Sequence, residues 1–79
     1  MSYMEKVGEK IRKLREETGT PQQKIADLLG VTRQSLSLYE KGERTINVEA
    51  LGKLAKFFGV SADYLLGLSD VRSTEQDMR

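Results

Sequence analysis

The chain has 79 residues, with 13 Lys/Arg against 12 Asp/Glu and a formal net charge of +1. This length supports one modest hydrophobic core and is too short for a second domain. Because cysteine and histidine are absent, disulfides, thiolate chemistry and the common zinc sites are excluded, and we expect no metal, no cofactor and a cytoplasmic location. No apolar run approaches the roughly 20 residues that span a bilayer, so we expect no membrane contact. The nearly balanced charge gives no global field that would mark a polyanion partner.

The apolar pattern predicts five helical segments, each followed by a glycine. The first covers about residues 4–17, the second begins at Pro21 and stops at Gly30, the third covers about 33–40, the fourth lies between a capping Asn47 and Gly59, and a last turn covers 62–66. Glycine just past the last apolar position is a typical helix stop. No segment alternates with the period of two that marks a strand. We therefore predict an all-α fold.

One apolar stripe per helix forms the predicted core. Its members are Val7, Ile11, Leu14, Ile25, Leu28, Leu29, Leu36, Tyr39, Val48, Leu51, Leu54, Ala55 and Phe58. The segment 68–79, LSDVRSTEQDMR, has no such stripe and too little apolar surface to offset the entropy of ordering itself. We expect a domain over residues 1–67, followed by a polar tail or linker stub over 68–79.

The stretch TPQQ opens the second helix and has two interpretations. Thr20 as the cap, Pro21 at the first helical position and Gln23 three residues after the cap together match a capping box. Gln22 is not explained in this way, because its long amide points away from the core beside unpaired backbone N–H groups. A phosphate can bind at such a position.

The third helix carries a polar stripe opposite its core side chains, Leu36 and Tyr39. On a period of 3.6 residues the outward positions are Arg33, Gln34, Ser37, Leu38 and Lys41. Arginine and glutamine match the edges of guanine and adenine, and a short serine lets a helix approach the floor of a groove. Lys41 and Arg44 are suited to backbone phosphates. Taken alone, however, a polar stripe is usually a solvated helix face.

The turn between these two helices makes the interpretation of the polar stripe more specific. The stretch ADLLGVTRQ joins two helices of about eight residues, the geometry of a helix-turn-helix. The pieces IRKLREETG, QQKIADLLGVTRQSLSLYEKGER and LGKLAKFFGVSADYLLG stand in this order from about Val7 to Gly67. In that order and spacing the chain resembles the phage repressor and Cro family of helix-turn-helix regulators, also called the Xre family.

The resemblance implies a compact five-helix, lambda-repressor-like domain in which the third helix enters the major groove of DNA. Base readout would fall to Arg33, Gln34, Ser37 and Leu38. Phosphate contacts would fall to Gln22, Thr32, Ser35 and Lys41, to which the residue pattern adds Arg44. The resemblance also implies a salt bridge between helices one and three, formed by Arg15 and Glu40. The alternative for that pair is two independent surface charges.

The chain departs from the family pattern at four positions. Pro21 stands where serine or threonine is usual, which moves the expected cap to Thr20 and affects the aim of Gln22. Leu38 replaces a residue that is more often long and polar, and it either touches a thymine methyl group or reads no base. Glu43 puts a negative charge in a loop that is commonly basic, and Ile46 stands where proline is frequent.

Two functions from different classes remain open. The first is a prokaryotic or phage transcriptional regulator, a repressor that reads a dyad-symmetric operator as a homodimer. We expect the dimer contact at Phe57, Tyr64 and Leu66, apolar side chains that the predicted core does not fully cover. The second is a protein-binding adaptor or antitoxin-type partner with the same fold, which the near-neutral charge and Leu38 favour slightly. No small-molecule ligand is evident, and the absence of histidine, cysteine and a glycine-rich phosphate loop argues against an enzyme.

Overall fold

A computed structural model describes residues 2–72. These residues form five helices: α1 (Tyr3–Thr18), α2 (Gln22–Leu29), α3 (Arg33–Glu40), α4 (Val48–Phe58) and α5 (Ala62–Leu65). No strand occurs within 2–72, so the all-α prediction is confirmed. No helix in this range combines the length and the apolar character needed to cross a membrane.

Four of the helices begin with a side-chain cap, and α2 is the exception. Ser2, Thr32, Asn47 and Ser61 accept a hydrogen bond from the first turn of α1, α3, α4 and α5. The residue before α2 is Pro21, in an extended conformation and without a side-chain cap bond. The helix thus begins one residue later than predicted.

The capping box predicted at the start of α2 is wrong. Because Pro21 takes the cap position, Thr20 lies outside the helix, and its hydroxyl oxygen lies 2.6 Å from that of Thr18. The Gln23 amide donates along its own helix to the Asp27 carboxylate at 2.8 Å instead of reaching back to the cap. The backbone N–H groups at the start of α2 therefore have no side-chain acceptor from a cap residue.

The core is assembled from all five helices and the loop before α5. Its most buried members are Val7, Ile11, Leu14, Ile25, Ala26, Leu36, Leu54, Val60, Tyr64 and Leu65. The predicted burial of Val48 is wrong, since its side chain is 85% exposed. Six residues correspond to about 600° on a helix, so Val48 points roughly 120° away from Leu54. Ala50 is the buried residue in this turn.

Gly8 brings α1 into backbone contact with the C-terminal end of α3. A Cβ atom at Gly8 would lie 2.2 Å from the carbonyl oxygen of Tyr39 and 2.8 Å from that of Glu40. No L side chain fits without moving one helix away from the other. Gly8 therefore sets the distance at which α3 rests on α1.

The chain stays in contact with the domain beyond the predicted boundary at Gly67. The backbone N–H of Ser61 donates to the carbonyl of Arg72, and the Ser61 hydroxyl donates to the carbonyl of Val71 at 3.3 Å. The Arg72 guanidinium donates twice to the Glu17 carboxylate, each time at 3.0 Å. We call residues 68–72 the C-terminal strap. Residues 73–79 of the predicted tail lie outside the described part of the chain.

The strap changes the titration of the carboxylate that it contacts. Hydrogen bonds from Arg72 hold the pKa of Glu17 below its ordinary value. The pKa of Arg72 is raised in turn, chiefly by the hydrogen bond to Glu17. The Arg72 guanidinium also lies 5.3 Å from the centre of the Tyr64 ring, a cation–π distance.

Candidate nucleic-acid interface

The predicted helix-turn-helix is formed by α2, a three-residue turn at 30–32 and α3. Gly30 adopts the left-handed conformation with φ 69°, which is favourable for glycine. Val31 follows it, donates its N–H to the carbonyl of Ala26 at 3.0 Å and packs against the core. Leu36 is completely buried and anchors the inner side of α3, so the direction of this short helix is fixed.

The outer face of α3 carries the four residues predicted to read bases. Arg33 and Gln34 are exposed, and Ser37 and Leu38 are partly buried. Gln34 therefore points away from the hydrophobic interior, as a DNA-reading position requires. Leu38 presents only part of its side chain to the surface.

Three of the predicted phosphate contacts meet at the N-terminus of α3. The Ser35 hydroxyl oxygen accepts a hydrogen bond from Arg44 and another from the Thr32 hydroxyl, both at 3.1 Å. The Thr32 oxygen in turn caps the helix by accepting the N–H of Ser35 at 3.0 Å. We call these three residues the N-terminal cluster. The positive end of the helix dipole lies at the same place and favours an anion there.

The remaining predicted contacts lie around a cleft between α1, the start of α2 and α3. This α1–α3 cleft has a volume of about 530 Å³. It is lined by Arg12, Arg15, Glu16, Pro21, Gln22, Gln23, Arg33, Ser37, Glu40 and Lys41. Four of these side chains are basic and two are acidic, so the cleft has a local excess of positive charge, whereas the charges of the whole chain nearly balance at +1.

Arg12 and Glu16 are the two members of the cleft that the sequence did not single out, and Arg12 is the cation of the two. Its position opposite the apolar stripe of α1 predicts an exposed side chain but not that the start of α2 packs next to it. In the structure Arg12 pairs with Glu16 at 3.3 Å, and both side chains are more than half exposed. A pair so exposed is weak and readily exchanges partners.

The implied salt bridge between Arg15 and Glu40 is formed. Arg15 Nε lies 2.8 Å from Glu40 Oε2 and Arg15 Nη2 lies 3.3 Å from Glu40 Oε1. The side chains are only 16% and 5% exposed, which excludes two independent surface charges. Arg15 Nη1 also donates to the carbonyl of Thr20 at 3.3 Å. The pair thus ties α1, the connection to α2 and the end of α3 together.

Gln22 joins this pair, a contact that the sequence reasoning missed. Its amide nitrogen donates to Glu40 Oε1 at 3.1 Å. Eighteen residues separate the two positions, and neither a helical period nor a local motif relates them. The only sequence signal was that Gln22 stands at a helix start facing away from the core.

The three residues expected at a dimer contact differ in burial. Tyr64 is only 7% exposed, contrary to the expectation that it remains uncovered. The amine of Lys10 lies 4.5 Å from the centre of its ring. Phe57 is 39% exposed in the last turn of α4. Leu66 is partly buried and lines an apolar groove beside the first turn of that helix.

A helix-turn-helix family model, HTH_3, matches residues 11–65. The chain is similar to the SPbeta prophage-derived uncharacterized HTH-type transcriptional regulator YonR of Bacillus subtilis, with 44% identity over 59 residues, 75% of this chain and 55% of that protein. It is also similar to the cryptic phage CTXphi transcriptional repressor RstR of Vibrio cholerae, with 37% identity over 67 residues, 85% of this chain and 60% of RstR. The chain thus spans less than two thirds of either relative.

The fold is also similar to a solved structure, the restriction-modification controller protein C.AhdI from Aeromonas hydrophila. The TM-score is 0.69 at 29% sequence identity, and the match covers 78% of this chain and 94% of C.AhdI. The family model covers more than half of the chain, including α2, the turn and α3. The chain therefore belongs to the HTH_3 family of helix-turn-helix domains, the Xre type that its motifs resemble.

Proposed function

We propose that this protein is a sequence-specific DNA-binding transcriptional regulator that inserts α3 into the major groove. The observation that carries the proposal is the outer face of α3, where Arg33 and Gln34 are exposed on a helix that Leu36 anchors from behind. The names of YonR, RstR and C.AhdI, two transcriptional regulators and a controller protein, support it. Such regulators are not enzymes, and we assign the chain no catalytic activity.

Base readout is proposed for four side chains of α3. The guanidinium of Arg33 can donate two hydrogen bonds to guanine, and the amide of Gln34 can both donate to and accept from adenine. Ser37 is short enough for the helix to lie deep in the groove. The exposed part of Leu38 is suited to the methyl group of thymine.

Phosphate binding is proposed on both sides of α3. On one side, the N-terminal cluster of Thr32, Ser35 and Arg44 combines hydroxyl and guanidinium donors with the helix dipole. On the other side, Gln22 and Lys41 lie in the positively charged α1–α3 cleft. Since the net charge of the whole chain is only +1, this local charge has to provide the electrostatic attraction to DNA.

We further propose a repressor that acts as a homodimer in the cytoplasm of a prokaryote, on a host or phage operator. One recognition helix reads only a few base pairs, so two copies on a dyad-symmetric site are needed for specificity. Phe57 and Leu66 remain candidates for the dimer contact, whereas Tyr64 offers almost no surface to a second copy. The substitutions Phe57→Glu and Leu66→Glu each place a charge on an apolar position and should weaken dimerisation in sedimentation experiments. Unchanged sedimentation would remove both residues from the proposal.

The adaptor alternative was favoured slightly by two features, the near-neutral charge of the chain and an apolar Leu38 in the middle of the polar face. Leu38 is partly buried, so it offers a partner protein little apolar area. This observation favours DNA over a protein partner for the same face.

Selection from a pool of random-sequence duplexes tests the proposal. We expect a dyad-symmetric site to be enriched and its affinity to fall steeply with salt. Each phosphate that a lysine or arginine neutralises adds roughly 0.9 to the steepness with which the logarithm of the binding constant falls against the logarithm of the salt concentration. Arg33→Ala and Gln34→Ala should each cost about 1–3 kcal/mol on the selected site. Lys53→Ala, in the exposed face of α4, is the control and should bind normally. A pool without enrichment, or affinity independent of salt, would contradict the proposal.

A further inference from the structure

The Glu40 carboxylate is shared between two partners with different roles. Oε2 accepts from Arg15, while Oε1 accepts from Arg15 at 3.3 Å and from the Gln22 amide at 3.1 Å. Glu40 is the last residue of α3 and Gln22 is the first residue of α2. One carboxylate therefore joins the end of the recognition helix to the residue proposed to meet a DNA phosphate.

The charge of Glu40 determines which end of the Gln22 amide faces it. A carboxylate accepts hydrogen bonds and cannot donate them, so Gln22 must direct its NH₂ group towards Glu40 and its oxygen elsewhere. The NH₂ group has two hydrogens, of which Glu40 accepts one. The second is left for an acceptor in the α1–α3 cleft, which Gln22 lines together with Lys41.

Arg15 makes this arrangement compatible with a nearby polyanion. A lone carboxylate beside a phosphate would repel DNA. Here the guanidinium donates to both oxygens of Glu40, and neither side chain is more than 16% exposed. Arg15 has its three nitrogens engaged, two with Glu40 and one with the carbonyl of Thr20. It is thus committed to Glu40 and to the backbone and is not placed as a DNA contact itself.

We propose that Glu40 is a positioning residue for DNA binding, because it holds the Gln22 amide with one N–H directed to a backbone phosphate. This inference rests on the proposed function, since it assigns a role to a residue of the same interface. The proposed role of Glu40 is more than that of a bridge between α1 and α3, because the orientation of the Gln22 side chain on α2 depends on the negative charge of Glu40 at the end of α3.

The first test is free of DNA and uses the side-chain amide resonances in nuclear magnetic resonance spectra. In the wild-type protein we expect one of the two Gln22 amide hydrogens to be shifted downfield and slow to exchange compared with an exposed glutamine, because it is donated to Glu40, and Glu40→Gln should remove this shift and this protection. Gln23 is the internal control, since it donates to Asp27 at 2.8 Å. Its signals should change with Asp27→Asn and not with Glu40→Gln. Gln22 signals that Glu40→Gln leaves unchanged would overturn the positioning role.

The second test compares four proteins on a mixed-sequence duplex of about 20 base pairs: wild type, Gln22→Ala, Glu40→Gln and the double variant. A glutamine at position 40 offers Arg15 its single oxygen and turns its NH₂ towards Gln22, which then has to rotate. We expect each single variant to weaken binding about tenfold, the contribution of one hydrogen bond to a charged group. The double variant should bind like Gln22→Ala alone.

The sign of the Glu40→Gln effect separates this proposal from simple electrostatics. The substitution removes a negative charge, so electrostatics alone predicts tighter binding, whereas the loss of positioning predicts weaker binding. Tighter binding would therefore contradict the proposal. The proposal would also be contradicted if Glu40→Gln weakened binding by the same factor in the wild-type protein and in Gln22→Ala. Glu40 would then affect DNA binding through the stability or shape of the domain and not through Gln22.

A second variant guards against misfolding of Glu40→Gln. Replacing both members of a buried ion pair by apolar residues is often neutral for stability, so Arg15→Met combined with Glu40→Leu should fold, as a thermal melt would show. We expect this variant to bind the duplex as weakly as Gln22→Ala, and wild-type affinity would overturn the proposal. If the wild-type protein binds no duplex at all, the proposed function fails, while the amide resonances still decide whether Glu40 orients Gln22.

Discussion

Two contacts fasten α1 to other parts of the chain with the same chemistry, an arginine paired to a glutamate, in different surroundings. In the Arg15–Glu40 pair the side chains are 16% and 5% exposed, next to the place where Gly8 brings α1 against α3. In the Arg72–Glu17 pair of the C-terminal strap they are 48% and 42% exposed. Water screens the second pair and hardly reaches the first. We therefore expect the first contact to control stability and DNA binding, and the second to control neither.

Breaking the buried pair should have the largest effect on stability. Glu40→Ala leaves the Arg15 guanidinium buried without its partner, which typically costs about 3–5 kcal/mol. Urea unfolding followed by circular dichroism measures this change. The control is the double variant Arg15→Met/Glu40→Leu, which should be close to wild type because no unpaired charge remains. A Glu40→Ala variant as stable as the wild type would show that the pair is no more important than the exposed one.

The next effect is expected from Gly8→Ala, which tests the other half of the α1–α3 contact. A methyl group here meets the backbone carbonyls of Tyr39 and Glu40 at 2.2 and 2.8 Å, and overpacking of this kind costs about 1–3 kcal/mol. Gly52 in α4 is a matched control, because nothing lies within 4 Å of the position that a Cβ atom would take there. Gly52→Ala should raise the free energy of unfolding by about 0.5–1 kcal/mol through helix propensity. If both substitutions stabilise the protein, α1 and α3 are not held in backbone contact at Gly8.

A smaller effect is expected from Arg72→Ala in the C-terminal strap. The ion pair with Glu17 is exposed, so its loss should leave the melting midpoint almost unchanged, and any difference should disappear at high salt. DNA affinity should also stay the same, because the strap contacts the end of α1 and α5 and not α3. A large loss of affinity would place the strap in the DNA interface and remove the distinction between the two contacts.

The smallest effect is the pH dependence of the ion pair between Glu17 and Arg72 of the strap. The pKa of Glu17 lies below its ordinary value of 4.5 because Arg72 donates to it. A lowered pKa in the folded state means that the contribution to stability is present above the ordinary value and is lost as the pH falls through the lowered one. A titration of the Glu17 carboxyl carbon should have its midpoint below 4.5. Arg72→Ala should return the midpoint towards that value, and an unchanged midpoint would mean that the pair does not form in solution.

Features set by local sequence were predicted well. Leu36 lies inward and Gln34 outward because a helix of fixed period separates them. Gly30 ends α2 in the left-handed conformation, as its place after the last apolar residue indicated. The Arg15–Glu40 bridge was also expected, through resemblance to a family and not from spacing.

Features set by distant parts of the chain were missed. The contact at Gly8 depends on a backbone more than thirty residues away, and the strap depends on Arg72 returning to α1 across 55 residues. Tyr64 is buried partly because Lys10 and Arg72 lie over its ring. The errors at Thr20 and Val48 have a different cause. The cap of α2 was placed one position too early, at Thr20 instead of Pro21. Val48 was assigned to the buried face of α4, although its side chain lies on the exposed face.

Backbone resonances followed during titration with a duplex selected from the random pool decide whether the outer face of α3 contacts DNA. We expect the largest shifts at Arg33, Gln34 and Ser37 and at the first residues of α2, with little change around Phe57 or the strap. Shifts confined to α4 and α5, with α3 unperturbed, would show that the proposed interface is wrong.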